Sequence, residues 1–165
     1  MTLRLFLMRH AKSSWDSPLL ADHDRPLNNR GRASAKALGT WLKENGYVPD
    51  AVLSSTAKRT HETFEGLDLA LMPTYTKALY HAGASQMLEV LRGAQGACVL
   101  VLGHNPGIAE FAERLVSTRP SHPRFFDYPT GATTIIDFDV ACWKDVEFGK
   151  GTVRDFMIPR ELPES

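Results

Sequence analysis

Residues 3–12 read Leu-Arg-Leu-Phe-Leu-Met-Arg-His-Ala-Lys, an apolar run that ends abruptly in an arginine–histidine pair. Leu3, Leu5, Phe6, Leu7 and Met8 put apolar side chains on both faces of an extended segment, the pattern of a strand inside a sheet. Arg9 and His10 then emerge together at its carboxyl end, the edge at which open α/β sheets bind ligands. Histidine is appreciably uncharged near neutral pH and can act as a nucleophile, and an adjacent guanidinium supplies a fixed fork of donors matched to phosphate oxygens. The pair points to phosphoryl transfer onto His10.

Two further segments repeat the arrangement. Asp50-Ala-Val-Leu-Ser-Ser-Thr-Ala-Lys-Arg59 reads as a short buried strand, then hydroxyl residues suited to capping, then a helix with Arg59 in its first turn. Cys98-Val-Leu-Val-Leu-Gly-His104-Asn-Pro-Gly107 is a third strand delivering a histidine at its end. Asn105 suits an N-cap and Pro106 the first helical position, with Ile108, Phe111, Ala112, Leu115 and Val116 following at helical spacing. If these strands are parallel neighbours, Arg9, Arg59 and His104 surround one anion beside His10, and helix N-termini add oriented N–H groups.

The four segments Arg9-His-Ala-Lys-Ser-Ser-Trp-Asp16, Asp24-Arg-Pro-Leu-Asn-Asn-Arg-Gly31, Ser54-Ser-Thr-Ala-Lys-Arg-Thr60 and Gly103-His-Asn-Pro-Gly107 occur in the order and spacing of the histidine phosphatase superfamily. The chain resembles its short phosphohistidine phosphatases of the SixA type over about the first two-thirds of its length, and residues 120–165 match only loosely. The resemblance implies a phosphoglycerate mutase-like fold: a three-layer α/β/α sandwich around a mostly parallel, mixed sheet. It also implies that His10 is the phosphorylated nucleophile, that Arg9 and Arg59 clamp the phosphoryl oxygens, and that His104 completes the pocket. Arg25 would sit nearby on a loop contacting phosphate or substrate, with Ser13, Asp16 and His81 as further candidate substrate contacts.

A chain of 165 residues fits one domain, residues 1–165, able to bury about two-thirds of its unfolded surface without disulfides or metals. Its 19 basic and 19 acidic residues cancel, which argues against general binding to nucleic acid or anionic membranes. The cancellation hides an asymmetry. Residues 1–60 hold ten Lys or Arg against five Asp or Glu, and the remainder nine against fourteen, so much of the positive excess falls in the amino-proximal motifs, as an anion site needs. Cys98 and Cys142 have no neighbours at metal-ligand spacing. The run Leu5 to Met8, bounded by Arg4 and Arg9, does not read as a signal peptide, and no stretch approaches the length of a membrane span. A cytoplasmic protein without metal or organic cofactor is expected.

The rest of the chain alternates strand and helix. A polar loop over about 12–28 leads to a helix over 29–45 with Ala35, Leu38, Trp41 and Leu42 facing inward and Gly46 ending it. A strand at 51–54 and a helix at 56–66 follow, then a weak strand at 74–76, a helix at 85–92, a strand at 98–102 and a helix from 106. Runs at 132–139 and 152–158 suggest a terminal hairpin and hence a mixed sheet. The proline-rich piece at 120–129 is a long loop poised to overhang the site. His23, His61 and His122 read as surface residues, and His61, two positions from Arg59, should face away.

Two places depart from the wider superfamily. Members acting on phosphate esters generally carry a Glu or Asp general acid after the third strand, where this chain reads Tyr75-Thr-Lys-Ala-Leu-Tyr-His-Ala-Gly83 without a carboxylate. An alkoxide needs a proton as it leaves, a service worth about 10² to 10⁴ in rate, whereas imidazole leaves phosphorus far more readily. The gap favours a P–N substrate, with Tyr80 or His81 as substitute acids otherwise. Asp16, six residues after His10, stands where mutase-like relatives tend to have an amide. Beside bound phosphate it would need protonation or a partner such as Lys12 or Arg25, or would itself be the missing acid. These residues together suggest a two-step phosphatase acting on phosphohistidine of a protein or on a small phosphorylated molecule. The rivals are a broad small-molecule phosphatase or mutase, and a non-hydrolytic phosphoryl carrier or phosphate-binding module.

Overall fold

In the computed structural model, which describes residues 2–163, β1 (Leu3–Arg9) lies at the centre of a six-stranded sheet of order β3-β2-β4-β1-β5-β6. Strands β2 (Ala51–Ser55), β3 (Thr74–Thr76) and β4 (Cys98–Gly103) run parallel to β1, while β5 (Thr133–Phe138) is antiparallel to it and β6 (Thr152–Met157) pairs antiparallel with β5 at the sheet edge. The helices are α1 (Asn29–Glu44), α2 (Lys58–Leu67), α3 (Ala84–Arg92) and α4 (Gly107–Leu115).

Alternation along the central strands divides the core into two layers. Leu3, Leu5 and Leu7 of β1 and Val99 and Val101 of β4 pack with Met87, Leu88, Leu91, Ile108 and Phe111 of α3 and α4. Phe6, Met8, Leu100 and Leu102 point the other way, onto Leu38, Trp41 and Leu42 of α1 and Phe64 and Leu67 of α2. Both faces of β1 and β4 are covered, which explains why these strands are apolar throughout. The result is the expected α/β/α sandwich with a mixed sheet.

Local chemistry sets the ends of the helices. Asn28 caps α1, its side chain accepting from Gly31 N at 2.8 Å. At the other end Gly46 takes φ +70°, its N–H donates to Lys43 O and that of Tyr47 to Leu42 O, the paired bonds of a Schellman stop. The start of α4 differs from expectation. The helix begins at Gly107 with Pro106 as N-cap and no side-chain cap bond. Asn105 does not cap it, because its amide Nδ2 donates instead to the carbonyls of Asp127 and Tyr128 at 2.8 and 3.0 Å. The hydroxyls before α2 likewise leave its N-cap to Ala57, which has no side-chain bond. No helix among the described residues is long and apolar enough to cross a membrane.

Candidate active site

The register of the sheet decides which side chains meet. Arg9 pairs with Gly103 across β1 and β4, and Ser54 with Leu102 across β2 and β4, so the three strands end level. His10 and His104 therefore follow neighbouring strand ends, their ring centroids 5.3 Å apart. Ser55, the last residue of β2, brings its Oγ to 2.8 Å from His104 Nε2. That hydroxyl, read from sequence as helix-capping, accepts from Ala57 N–H at 3.2 Å and also supports the histidine.

His10 is buried and held from several sides. Its N–H donates to Gly103 O at 3.2 Å, its carbonyl accepts from Gly131 N at 2.8 Å, and Ala11 N–H donates to Thr63 Oγ1 of α2 at 3.0 Å. The ring Nδ1 is 2.7 Å from Ala11 O. A carbonyl oxygen only accepts, so Nδ1 carries the proton and Nε2 keeps its lone pair. Burial, joined by the Arg9 and Arg59 charges, pushes the pKa of His10 down to about 3 against the pull of the Ala11 carbonyl. Burial likewise pushes His104 down to about 2, helped by His10 and Arg59. Both rings are neutral at pH 7.

Two guanidinium groups flank these rings. Arg9 donates from Nη1 to Tyr128 O at 3.1 Å, and burial together with the Arg59 charge weakens its hold on its proton. Tyr128 has a left-handed backbone, φ +47°, and is fixed there by its buried hydroxyl, which donates to Leu7 O at 2.6 Å. The 120–129 loop is thus fastened to the site through the Tyr128 carbonyl, which orients both Arg9 and Asn105. Arg59, buried at the start of α2, donates from Nη1 to Asp22 O at 2.7 Å and from Nη2 to Asp22 Oδ2 at 3.0 Å. Arg9 Nε and His104 Nδ1 are buried without a hydrogen-bond partner among the described residues. Unsatisfied buried polar atoms cost about 1–3 kcal/mol each, and a bound oxyanion meets the need of a guanidinium N–H.

Asp22 is the residue that sequence reasoning missed. It opens a 3-10 turn, Asp22–Asp24, inside a loop whose polar composition gave no sign of which carboxylate turns inward. Tyr80 OH donates to Asp22 Oδ2 at 2.6 Å, and His81 Nε2 lies 3.8 Å from the same oxygen. The Tyr80 hydrogen bond and the Arg59 pair hold the Asp22 carboxyl below its ordinary range, while burial and Asp22 push the Tyr80 phenol up. His81, an exposed candidate, adopts φ +58°, a conformation that costs on the order of 1–3 kcal/mol in a non-glycine residue. The Tyr80 ring centroid is 3.9 Å from that of His81 and 5.5 Å from that of His104.

The remaining candidates scatter. Arg25 stacks its guanidinium 3.8 Å from the Trp15 ring centroid and donates to Ser14 O at 3.1 Å. Ser13 is buried, its backbone bridged to Leu27. Asp16 stands apart: it is exposed, and among the described residues its carboxylate pairs with neither Lys12 nor Arg25, whose guanidinium stacks on Trp15 and donates to Ser14 O. His23 is half-buried rather than a simple surface residue, with Nε2 2.8 Å from Thr56 Oγ1. His61 faces away as expected, stacked on Tyr75 and 3.3 Å from Glu65. His122 is tied to Glu161 at 2.9 Å.

Comparison with known proteins identifies the family. The model of the histidine phosphatase superfamily (branch 1) matches residues 5–80. The chain is 33% identical over 160 residues to an uncharacterized protein of Mycobacterium tuberculosis, covering 93% of this chain and 100% of that one. Among solved structures it is similar to a protein carrying the name phosphohistidine phosphatase SixA from Nakamurella multipartitia, with TM-score 0.83, 28% identity and coverage of 96% of this chain and 97% of that one. A second protein of that name, from Agrobacterium tumefaciens, superimposes with TM-score 0.78 at 25% identity, over 95% and 98% of the two chains. With His10, His104 and two arginines assembled at three level strand ends, the chain belongs to the histidine phosphatase superfamily and to its SixA type.

Proposed function

We propose that this phosphatase hydrolyses phosphohistidine through a covalent intermediate on His10. The observation that carries the reading is the His10 ring itself: buried, neutral, with Nδ1 engaged by Ala11 O and Nε2 left as a nucleophile between two arginines. In the first step Nε2 attacks phosphorus, the bond from phosphorus to the substrate nitrogen breaks, and its electron pair leaves with the imidazole. In the second, water attacks the phosphoryl group, the bond to Nε2 breaks, the electron pair returns to His10, and the water proton passes to solvent or phosphate. Arg9, Arg59 and His104 hold the equatorial oxygens as charge shifts onto them. Arg25, Ser13 and Asp16 have no role in the reacting cluster.

The preference for a P–N bond is supported by the proton inventory. Tyr80 is held protonated by burial and by Asp22, and Asp22 is held ionised, so neither is poised to protonate an alkoxide. The test is turnover against a panel of phosphohistidine, an aryl phosphate, a sugar phosphate and phosphoglycerate. Many turnovers per chain with phosphohistidine and the aryl phosphate, and poor rates with the alkyl esters, are expected. Rates independent of leaving-group basicity would turn the reading toward an ester phosphatase, and release limited to one equivalent would make the chain a phosphoryl carrier.

A further inference from the structure

The carboxylate of Asp22 is the feature the mechanism leaves unused. Its Oδ2 accepts from Arg59 Nη2 at 3.0 Å and from Tyr80 OH at 2.6 Å, whereas Oδ1 accepts no hydrogen bond among the described residues and the side chain is 46% exposed. A continuous arc of rings leads to it from the nucleophile: His10 to His104 at 5.3 Å, His104 to Tyr80 at 5.5 Å, Tyr80 to His81 at 3.9 Å. Asp22 is thereby joined through Arg59 and Tyr80 to the cluster around His10 and His104 and forms its solvent-exposed edge. It is locked in direction by Arg59 and Tyr80 and has one oxygen free.

We infer that Asp22 Oδ1 accepts the distal ring N–H of a phosphohistidine substrate and thereby selects phosphohistidine over phosphate esters. The inference rests on the reading above and deepens it. An imidazole phosphorylated on one nitrogen leaves well only when its other nitrogen is protonated, for it then departs as a neutral ring. When His10 Nε2 forms its bond to phosphorus, the breaking P–N pair returns to the ring of the substrate, the proton already on the distal nitrogen stays there, and no acid is consumed. An anionic acceptor at that nitrogen favours the protonated ring, as an opposite charge within a few ångströms does for any imidazole. An ionised carboxylate is useless as an acid for an alkoxide but suited to this task, which accounts for a site that has a carboxylate and lacks a carboxylic acid. The groups facing Asp22 are Arg59 from α2 and Tyr80 and His81 from the turn before α3, with His23 in edge contact with Tyr80 at 4.9 Å. Arg59 and Tyr80 stabilise the anion, and His81, when protonated, competes for it.

The experiment compares wild type with Asp22→Asn on two substrates: free phosphohistidine, whose leaving group carries the proton, and p-nitrophenyl phosphate, whose leaving group needs none. Asn retains size and an acceptor oxygen but not the charge. The expected result is a fall in kcat/KM for phosphohistidine at least tenfold greater than for the aryl phosphate. The alkaline limb of the phosphohistidine profile should also move to lower pH, because the substrate ring loses its proton sooner. Asp22→Glu, which keeps the carboxylate, should recover part of the difference. Equal losses on both substrates would reduce Asp22 to a positioning residue for Arg59 and overturn the inference while leaving phosphohistidine hydrolysis standing. A wild type that turns over the aryl phosphate but leaves phosphohistidine intact would overturn both.

Discussion

The floor and the mouth of the site are built by different means. The floor consists of Arg9, His10, Arg59 and His104, each placed by a regular element: the level ends of β1 and β4 and the first turn of α2. The mouth consists of Asp22, Tyr80 and His81, held by side-chain bonds between residues 37 to 59 positions apart and by a strained backbone at His81. Sheet register can place a phosphorus atom to a fraction of an ångström, but what the leaving group meets is decided by loops laid over that sheet. On the proposed mechanism the floor would serve phosphoryl transfer in general, and the mouth would select the substrate.

Breaking the floor should have the largest effect. Arg59→Ala should lower kcat/KM by about 3 to 4 kcal/mol, the size of other lost oxyanion contacts. Arg59→Lys should be nearly as damaging, because it keeps a charge but loses the fork that holds phosphate on one side and Asp22 on the other. A change below about tenfold would place Arg59 outside the reacting cluster.

The two regions meet at Gly107. A Cβ there would lie 1.8 Å from Ala82 O, a backbone atom of the turn that follows Tyr80 and His81. Gly107→Ala should cost about 1 to 3 kcal/mol of stability through overpacking, read from the denaturant midpoint. Unchanged stability would mean that the turn moves freely over α4 and that the mouth is not tied to the floor.

A smaller effect is expected from Ser55→Ala, which removes the partner of His104 Nε2 at 2.8 Å. Loss of one such bond is worth about 1 kcal/mol, so kcat/KM should fall roughly fivefold to tenfold on phosphohistidine and aryl phosphate alike, because the floor serves both. A loss confined to one substrate would contradict the division.

A further effect, on stability rather than on turnover, concerns pH. His10 is held neutral down to about pH 3, below the ordinary histidine value of about 6.5. Between those values the unfolded chain binds a proton that the native chain does not. The contribution to stability is complete above about pH 6.5 and is lost as pH falls through the window. The drop in denaturant midpoint between about pH 7 and about pH 4.5 should therefore be smaller in His10→Gln than in wild type. An identical drop would show that the ring is not held neutral.

The sequence made the floor legible because its residues follow strands whose apolar runs and helix spacing are strong local signals, as at Leu3–Arg9 and Cys98–Gly103. The terminal hairpin and the mixed sheet were legible for the same reason. Asp22 was not, because among Asp16, Asp22 and Asp24 of one polar loop only tertiary contacts with Arg59 and Tyr80 single one out. The role of Asn105 was misread because a residue with good capping chemistry was claimed by the Asp127 and Tyr128 carbonyls, 22 and 23 positions away. Ser55 was legible in part: its Oγ does accept from Ala57 N–H at the start of α2, and the contact with His104 across the sheet is the part that only tertiary structure adds.

On the proposed mechanism His10 carries the phosphoryl group. Brief incubation with a labelled phosphoryl donor, followed by denaturation and mapping of the label, tests it most directly. Wild type should trap label that is stable to base, labile to acid and located on His10, and a folded His10→Ala variant should trap none and turn over no substrate. Label on another residue, or undiminished turnover in His10→Ala, would exclude His10 as the nucleophile.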